Sequence, residues 1–475
     1  MSDEIKTLRK ELLGIDQSQV LRFFDGLDNV GREKLHRQVA ALDLGEIDEL
    51  AEMHVRHKST IALPTKIEPV KTYPRAAGPG QERLYADAVQ RGNELLRDGK
   101  VAAFLVAGGQ GTRLGYDGPK GEFPVTPIKQ KPLFQVFAEQ LLAWSRDSGK
   151  VIPWYIMTSD ANDAATRAFF AKHQHFGYTP GDVLFFQQGM MPAFNLAGHI
   201  LLAAKDSLAL SPDGHGGSLR ALHKSGALAD MRKRGIEHLS YFQVDNPLVQ
   251  CIDPLFLGLH DITASEMSSK TIPKADPLEK VGNFVTGDGV LQVIEYSDLP
   301  ENLAMQRNAD GSLKFNAGSI AIHALRVSFI ERLNAAGRLE LPWHRAEKKV
   351  PYVDEHGNEV KPTQANAIKL EQFVFDAIPL AKNAIVYETD RAEEFSPVKN
   401  AQGNDSPATC RRDQIRRAAR WLRAANIAVP EKNGDPDAVL EISPLLATSA
   451  EQLVERHPNT KQITAGQSVY LGGNE

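Results

Sequence analysis

The segment LVAGGQGTRLGYDGPKGEFPV, residues 105–125, concentrates the residue types that handle anions. Gly108, Gly109 and Gly111 follow the apolar run AAFLV, and a backbone without side chains can turn tightly and bring N–H groups against a phosphate or a base. Arg113 and Lys120 come next: the first can grip two phosphate oxygens at once, the second acts as a point charge. Taken alone, a Gly-rich turn after a strand serves equally as a structural tight turn; the two cations beside it favour an anion. Spacing excludes two familiar phosphate loops. A GxGxxG fingerprint counted from Gly109 and Gly111 requires a glycine where Leu114 stands, and a P-loop requires GK before Ser or Thr, whereas Pro119, Lys120 and Gly121 read PKG.

Such a loop needs a strand behind it and a sheet around that strand. Short apolar runs supply both: AAFLV before Ala107, VIPWYIM before Thr158, VLFFQ around Phe186 and LSYFQV before Asp245, alternating with helical patterns. That alternation predicts an α/β chain of βαβ units with a largely parallel sheet, and a ligand placed beyond the carboxyl ends of its strands. In PLFQVFAEQLLAWSR, Leu133, Phe137, Leu141 and Trp144 line one helix face, and Pro132 sits where a helix start tolerates it. Residues 1 to about 60 read as helical from the spacing of Val20, Leu21, Phe23, Phe24 and Leu27 and then Leu35, Val39 and Leu42. Pro64 to Gln81 breaks that period and reads as a linker or wrapping segment. Beyond Val290 the strand-like VLQVIEY, KFNAGSIAI and NAIVYE predict an α+β extension, and QIRRAARWLRAANI with LEISPLLA a small C-terminal module.

Composition narrows the class. The 475 residues carry 55 Lys+Arg against 60 Asp+Glu, a formal charge of -5, with 42% hydrophobic and 24% charged residues, the balance of an ordinary globular protein. No local basic patch stands out, and MRKRG from Met231 reads as a solvated helix end, so nucleic acid is not expected as a partner. Cys251 and Cys410 lie far apart with no CxxC, which argues against a disulfide framework or a Cys-based zinc site and suits a reducing cytoplasm. The opening MSDEIKTLRKELLG has no apolar stretch of a secretory signal, and no run approaches the roughly 20 residues of a membrane span. His173, His175, His238, His260, His323 and His344 show no metal-site spacing.

The whole phrase LVAGGQGTRLGYDGPKG resembles the signature of UTP:sugar-1-phosphate uridylyltransferases, most closely the UDP-N-acetylhexosamine pyrophosphorylase branch. The resemblance continues through IPWYIMTS, FFQQGMMPA, PDGHGG, YFQVDNPLVQCIDPLF, FNAGSIAIHA, IKLEQFVFD and RAEEFSPVKNAQG. It implies a Rossmann-like, GT-A-like nucleotidyltransferase fold with a mixed sheet: a helical N-terminal module and linker over 1–100, a catalytic domain over 101–400 and a small C-terminal module over 401–475. The implied reaction takes UTP and a sugar 1-phosphate, with N-acetylglucosamine 1-phosphate first in line, to a UDP-sugar and pyrophosphate. A UDP-glucose or broad UDP-sugar enzyme is one alternative, and a non-catalytic nucleotide-sugar binder is another.

By the same resemblance Arg113 and Lys120 hold the triphosphate, Lys399 in FSPVKN contacts the sugar-linked phosphate, and Asp245 in VDN is the ligand of Mg²⁺, an ion usually held by one or two carboxylates plus phosphates. Gly108, Gly109, Gln188 and Gly214 fall on uridine-contacting positions; a glutamine amide matches the uracil edge, and the neighbouring Gln187 points to the opposite face of its strand. Gly282, Glu295, Asn316 and Phe373 fall on the sugar side. Two positions depart from the branch: His215 in PDGHGG and Ser319 in FNAGS each replace an asparagine that touches the N-acetylhexosamine. A histidine at the first position resembles the UDP-glucose and broad UDP-sugar branches. TPIKQK, Thr126 to Lys131, replaces the branch's GLPSRK.

Overall fold

The computed structural model describes residues 2–57, 62–456 and 462–472, so the helical reading of 58–60 lies outside the described residues. The chain gathers into two compact units, each built from three stretches. The larger unit, Pro64–Gln187, Ala221–Arg338 and Ala377–Glu475, contains a sheet with ten strands among the described residues. Four of them run parallel: Val101–Val106, Trp154–Thr158, Val183–Gln187 and His238–Gln243. The first three are neighbours in chain order, and the fourth returns to the other side of Val101–Val106. That reversal is a topological switch point, where strand ends part and leave a crevice. Val106 pairs with Gln243, and Val244 N–H donates to the Val106 carbonyl at 3.1 Å, so the glycine loop and the Asp245 loop leave the sheet side by side.

Beyond those four the sheet is mixed, with one further parallel pair, Met267–Pro273 and Ile385–Glu388. Ala317–Arg326 runs antiparallel to His238–Gln243, then pairs with Met267–Pro273 and Asn283–Gly287. Asn283–Gly287 folds back onto Val290–Ile294 through Asp288 and Gly289, both with positive φ (48° and 86°), the Asp-Gly turn that suits a tight hairpin. The Pro64–Gln81 stretch is a wrapping segment: Ile67–Pro69 adds an edge strand on Asn283–Gly287, and the N–H groups of Thr65 and Lys66 donate to the Asp288 carboxylate.

Helix Leu133–Ser148 buries the expected Leu133, Phe137 and Leu141, and also Phe134, Val136, Ala138, Glu139 and Gln140, so burial extends well beyond one stripe. The reason is a second neighbour. Glu139 pairs with Lys131 and accepts from Ser443 of the C-terminal stretch, while Glu441 accepts the N–H groups of Ile128 and Lys129. Ser406 and Thr409 form a capping box ahead of helix Pro407–Ala424, which sends Cys410 into the main core and Ala419 and Leu422 into a smaller one with Leu440 and Leu453.

The smaller unit is Met1–Leu63, Gln188–Arg220 and Leu339–Asp376. Helices Ser2–Gly14, Asn29–Ala40 and Leu44–Leu50, with short turns between, bury Val20, Leu21, Phe24, Leu35 and Val39 against Phe194, Leu208, Ile368 and Leu370. Helix Glu82–Arg97, which sequence division places in the N-terminal module, packs within the larger unit on helix Pro254–Ile262. Among the described residues no helix is long and apolar enough to cross a membrane.

Candidate active site

The glycine loop closes on itself. Gly111 N–H donates to the Gly118 carbonyl at 2.8 Å and Lys120 N–H to the Gly109 carbonyl at 3.1 Å. Residues beyond the next strand anchor it: Asn162 Nδ2 donates to the carbonyls of Ala107 (2.9 Å) and Gly109 (3.3 Å), and Ser159 Oγ to that of Gly108 (2.9 Å). With its carbonyls turned into these bonds, the loop can present N–H groups outward. Gly111 is required for packing, since a Cβ there would press within 2.9 Å of Tyr116, whereas one at Gly109 would meet nothing within 4 Å.

Four charged residues found in sequence come together here. Burial pushes the Lys120 ammonium below the usual lysine range; Arg113 and Lys399 push it the same way and Asp245 opposes them, so all three lie within electrostatic reach of its side chain. Arg113 is exposed on the turn Thr112–Leu114. The loops carrying Asp245 and Lys399 are stitched by a 2.7 Å bond from Val398 N–H to the Asp245 carbonyl. Lys399 Nζ lies 3.9 Å from the Asp405 carboxylate, whose residue accepts the N–H groups of Lys399 and Asn400 on its own carbonyl. Burial holds the Asp405 carboxyl above its usual range; Lys399 opposes this and Asp245 adds to it. Asp245 and Asp405 are thus hard oxygen donors in one neighbourhood, a donor set that fits Mg²⁺ shared with substrate phosphates.

A second group in the same unit lies around Gly282. Ser319 N–H donates to the Gly282 carbonyl at 2.8 Å, and a Cβ at Gly282 would come 3.5 Å from Glu295 Oε1 and 3.6 Å from Ser319 Cβ. Gly282, Glu295 and Ser319 therefore share one wall. The Asn316 amide is engaged by the backbone instead, its Oδ1 accepting Lys274 N–H at 2.9 Å.

The smaller unit holds the remaining candidates. Asp213 N–H donates to the Gly189 carbonyl, which sets the half-buried Gln188 at the start of PDGHGG. Gly214, at φ 86°, and Gly216 run so close to the Gln372–Phe373 backbone that a side chain on either would overlap it. The missing side chain at Gly214 is thus accounted for by the protein's own backbone. His215 stacks on Phe373 with ring centroids 5.2 Å apart at 24°, and its Nδ1 accepts Val374 N–H at 3.0 Å. Burial, with a smaller push from His344, takes the His215 imidazole down to about 4. His344 Nε2 meets Asp376 at 2.8 Å, and its ring lies 4.4 Å from that of Phe373. His260 and His323 are buried against Ser268 and Ser269. In MRKRG, Arg232 pairs with Glu331 and Arg234 with Asp182 and Asp230.

Sequence reading missed Asp405, Asn162 and Ser159. Only Asp405 carries a local signal, as the acidic residue ahead of the Ser-Pro that opens a capped helix.

Comparison with known proteins follows the same lines. The model of the family described as UTP–glucose-1-phosphate uridylyltransferase matches residues 49–405. The UDP-N-acetylhexosamine pyrophosphorylase-like protein 1 of Xenopus tropicalis is 38% identical, over 98% of this chain and 96% of its own. The UDP-N-acetylglucosamine pyrophosphorylase of Saccharomyces cerevisiae is 40% identical over 76% of this chain and 77% of its own. The crystal structure of the uridine diphosphate N-acetylglucosamine pyrophosphorylase of Trypanosoma brucei, in complex with an inhibitor, aligns with a TM-score of 0.82 at 26% identity, covering 99% of this chain and 98% of that one.

Proposed function

The chain belongs to the UTP–glucose-1-phosphate uridylyltransferase family, in its UDP-N-acetylhexosamine pyrophosphorylase branch, and from that premise we propose that its charged loops do the chemistry without a protein base. It is a nucleotidyltransferase: a uridylyltransferase that makes UDP-N-acetylglucosamine and pyrophosphate from UTP and N-acetylglucosamine 1-phosphate. A phosphate oxygen of the sugar 1-phosphate attacks the α-phosphorus of UTP in line, the bond to the bridging oxygen breaks, and pyrophosphate leaves with the electron pair. The attacking oxygen is already ionised, so what the protein must supply is positioning and charge neutralisation.

The observation that carries this reading is that the loop with Arg113 and Lys120 and the loop with Asp245 leave adjacent parallel strands side by side, with the segment before Lys399 bonded to the Asp245 carbonyl. Arg113 and Lys120 hold the triphosphate and meet the charge that develops on the departing pyrophosphate. Lys399 holds the phosphate of the incoming sugar. Asp245, with Asp405 beside it, would hold Mg²⁺, which when bound supplies further neutralisation of phosphate charge. Within the larger unit Gly108 and Gly109 read the uridine, and Gly282, Glu295 and Ser319 face the sugar. Every residue assigned by resemblance falls within 101–400, the stretch we take as catalytic. Buried, unpaired Cys251 and Cys410 support a reducing cytoplasm as its compartment.

The relatives' names do not favour a plain-hexose or a non-catalytic reading. Pyrophosphate release with UTP, Mg²⁺ and the 1-phosphates of glucose, galactose, N-acetylglucosamine and N-acetylgalactosamine tests both points. The expected result is turnover that is fastest with N-acetylglucosamine 1-phosphate. No release with any of the four sinks the reading, and a preference for the plain hexoses makes His215 and Ser319 the residues to revert to asparagine.

A further inference from the structure

Two loops bring charge to the reaction centre, one through Asp245 and one through Lys399. We propose that Asn246, backed by the buried pair Glu394–Lys270, is a positioning residue that fixes the distance between these two groups. The inference rests on the uridylyltransferase reading of the site. Asn246 is buried, and its amide engages both sides of the segment before Lys399: Nδ2 donates to the Glu394 carbonyl at 2.6 Å and Oδ1 accepts Ser396 N–H at 3.1 Å. Together with the bond from Val398 N–H to the Asp245 carbonyl, three bonds zip residues 245–246 to residues 394–398. They fall on Asp245 itself or the residue next to it and within five residues of Lys399.

Behind this zip lies a buried charge cluster. The Glu394 side chain, 3% exposed, accepts from Lys270 Nζ and Thr389 Oγ1, each at 2.6 Å. Lys270, with no exposed side-chain surface, also holds Asp253 at 2.6 Å, the residue that caps helix Pro254–Ile262 and ends the loop begun at Asp245. Arg417 donates to the carbonyls of Leu248 and Glu393, both at 3.0 Å, and so ties the same two loops from a third side. Apolar residues would fill this space at lower desolvation cost. What the charged and amide groups add is direction: each bond fixes one loop relative to the other. Supporting bonds of this kind behind a metal ligand are worth about 10- to 100-fold in activity, and a displacement of about 1 Å between reacting groups costs a similar factor.

The test compares the full-length wild type with Asn246→Ala and Thr389→Val. For Asn246→Ala, kcat should fall by about 30- to 100-fold while KM for UTP stays within about threefold. Manganese binding in the presence of UTP, followed by electron paramagnetic resonance, should weaken. Amide exchange should rise in peptides covering 244–252 and 395–402 and stay unchanged in helix 407–424. Thr389→Val, which removes one bond to Glu394 without unpairing a charge, should show the same pattern at about 2- to 5-fold. A lower melting temperature with unchanged kcat and manganese binding would make Asn246 merely structural and overturn the inference. If Asn246→Ala does not fold, an unchanged kcat in Thr389→Val overturns it. A wild type that releases no pyrophosphate removes the uridylyltransferase reading and this inference with it; an active wild type with an indifferent Asn246→Ala removes the inference alone.

Discussion

His215 stands where its branch places asparagine, and the ring has taken up bonds of its own: Nδ1 on Val374 N–H, one face on Phe373, an edge near Phe375. Burial keeps it neutral, down to about 4 from an ordinary 6.5. The unfolded chain therefore takes up the proton first as pH falls. The contribution of His215 to stability is complete above about pH 6.5 and is lost progressively toward pH 4, on the order of 3 kcal/mol in all. Asparagine carries an acceptor where His Nδ1 sits and does not titrate. His215→Asn should therefore unfold in urea with a shallower loss of stability between pH 7 and pH 4.5 than the wild type. Buried His260 is depressed as well and keeps part of the slope in both proteins. Identical slopes would mean that the ring charges in place.

At the scale of elements, the pair of helices Glu82–Arg97 and Pro254–Ile262 turns on two glycines. A Cβ at Gly92 would overlap the Pro254 carbonyl, and one at Gly258 the carbonyl of Ala88, both rigid backbone. Alanine in place of glycine usually gains about 1 kcal/mol in a helix interior. Here the sign should reverse: Gly92→Ala and Gly258→Ala should each lower the unfolding free energy by about 2 kcal/mol or more, because the helices must separate. Urea midpoints decide it, and a stabilised variant would refute so close a crossing. Neither glycine announces this in sequence, where both look like helix defects. The four parallel strands were legible because each is an apolar run ending at a turn, and so was the loop with Arg113 and Lys120. The mixed half was not, because strand direction depends on partners far along the chain. Asn162 was missed for the same reason: its meaning lies in a bond to a residue 55 positions away.

At the scale of the molecule, the order of the chain and the order of packing differ. Reading along the sequence, residues 1–100 form a leading helical module and linker. In space, the apolar faces of residues 5–55 close over two later stretches of the same unit. Val20, Leu35, Val39 and Leu50 pack with Ile200, Leu208, Ile368 and Leu370. Fully buried Gln17 clasps the turn at 198–200, donating to the Gly198 carbonyl and accepting Ile200 N–H, and Arg220 grips Glu46 with both terminal nitrogens. A chain begun at Pro64 would leave these partners with exposed apolar surface, a buried-type arginine without its carboxylate and backbone groups without their glutamine. Such a truncation should be recovered mainly in the insoluble fraction. Any soluble part should bind a hydrophobic dye strongly and unfold without a sharp urea transition. A truncated chain that is soluble, dye-silent and cooperative would show that 188–220 and 339–376 form a core without the N-terminal helices.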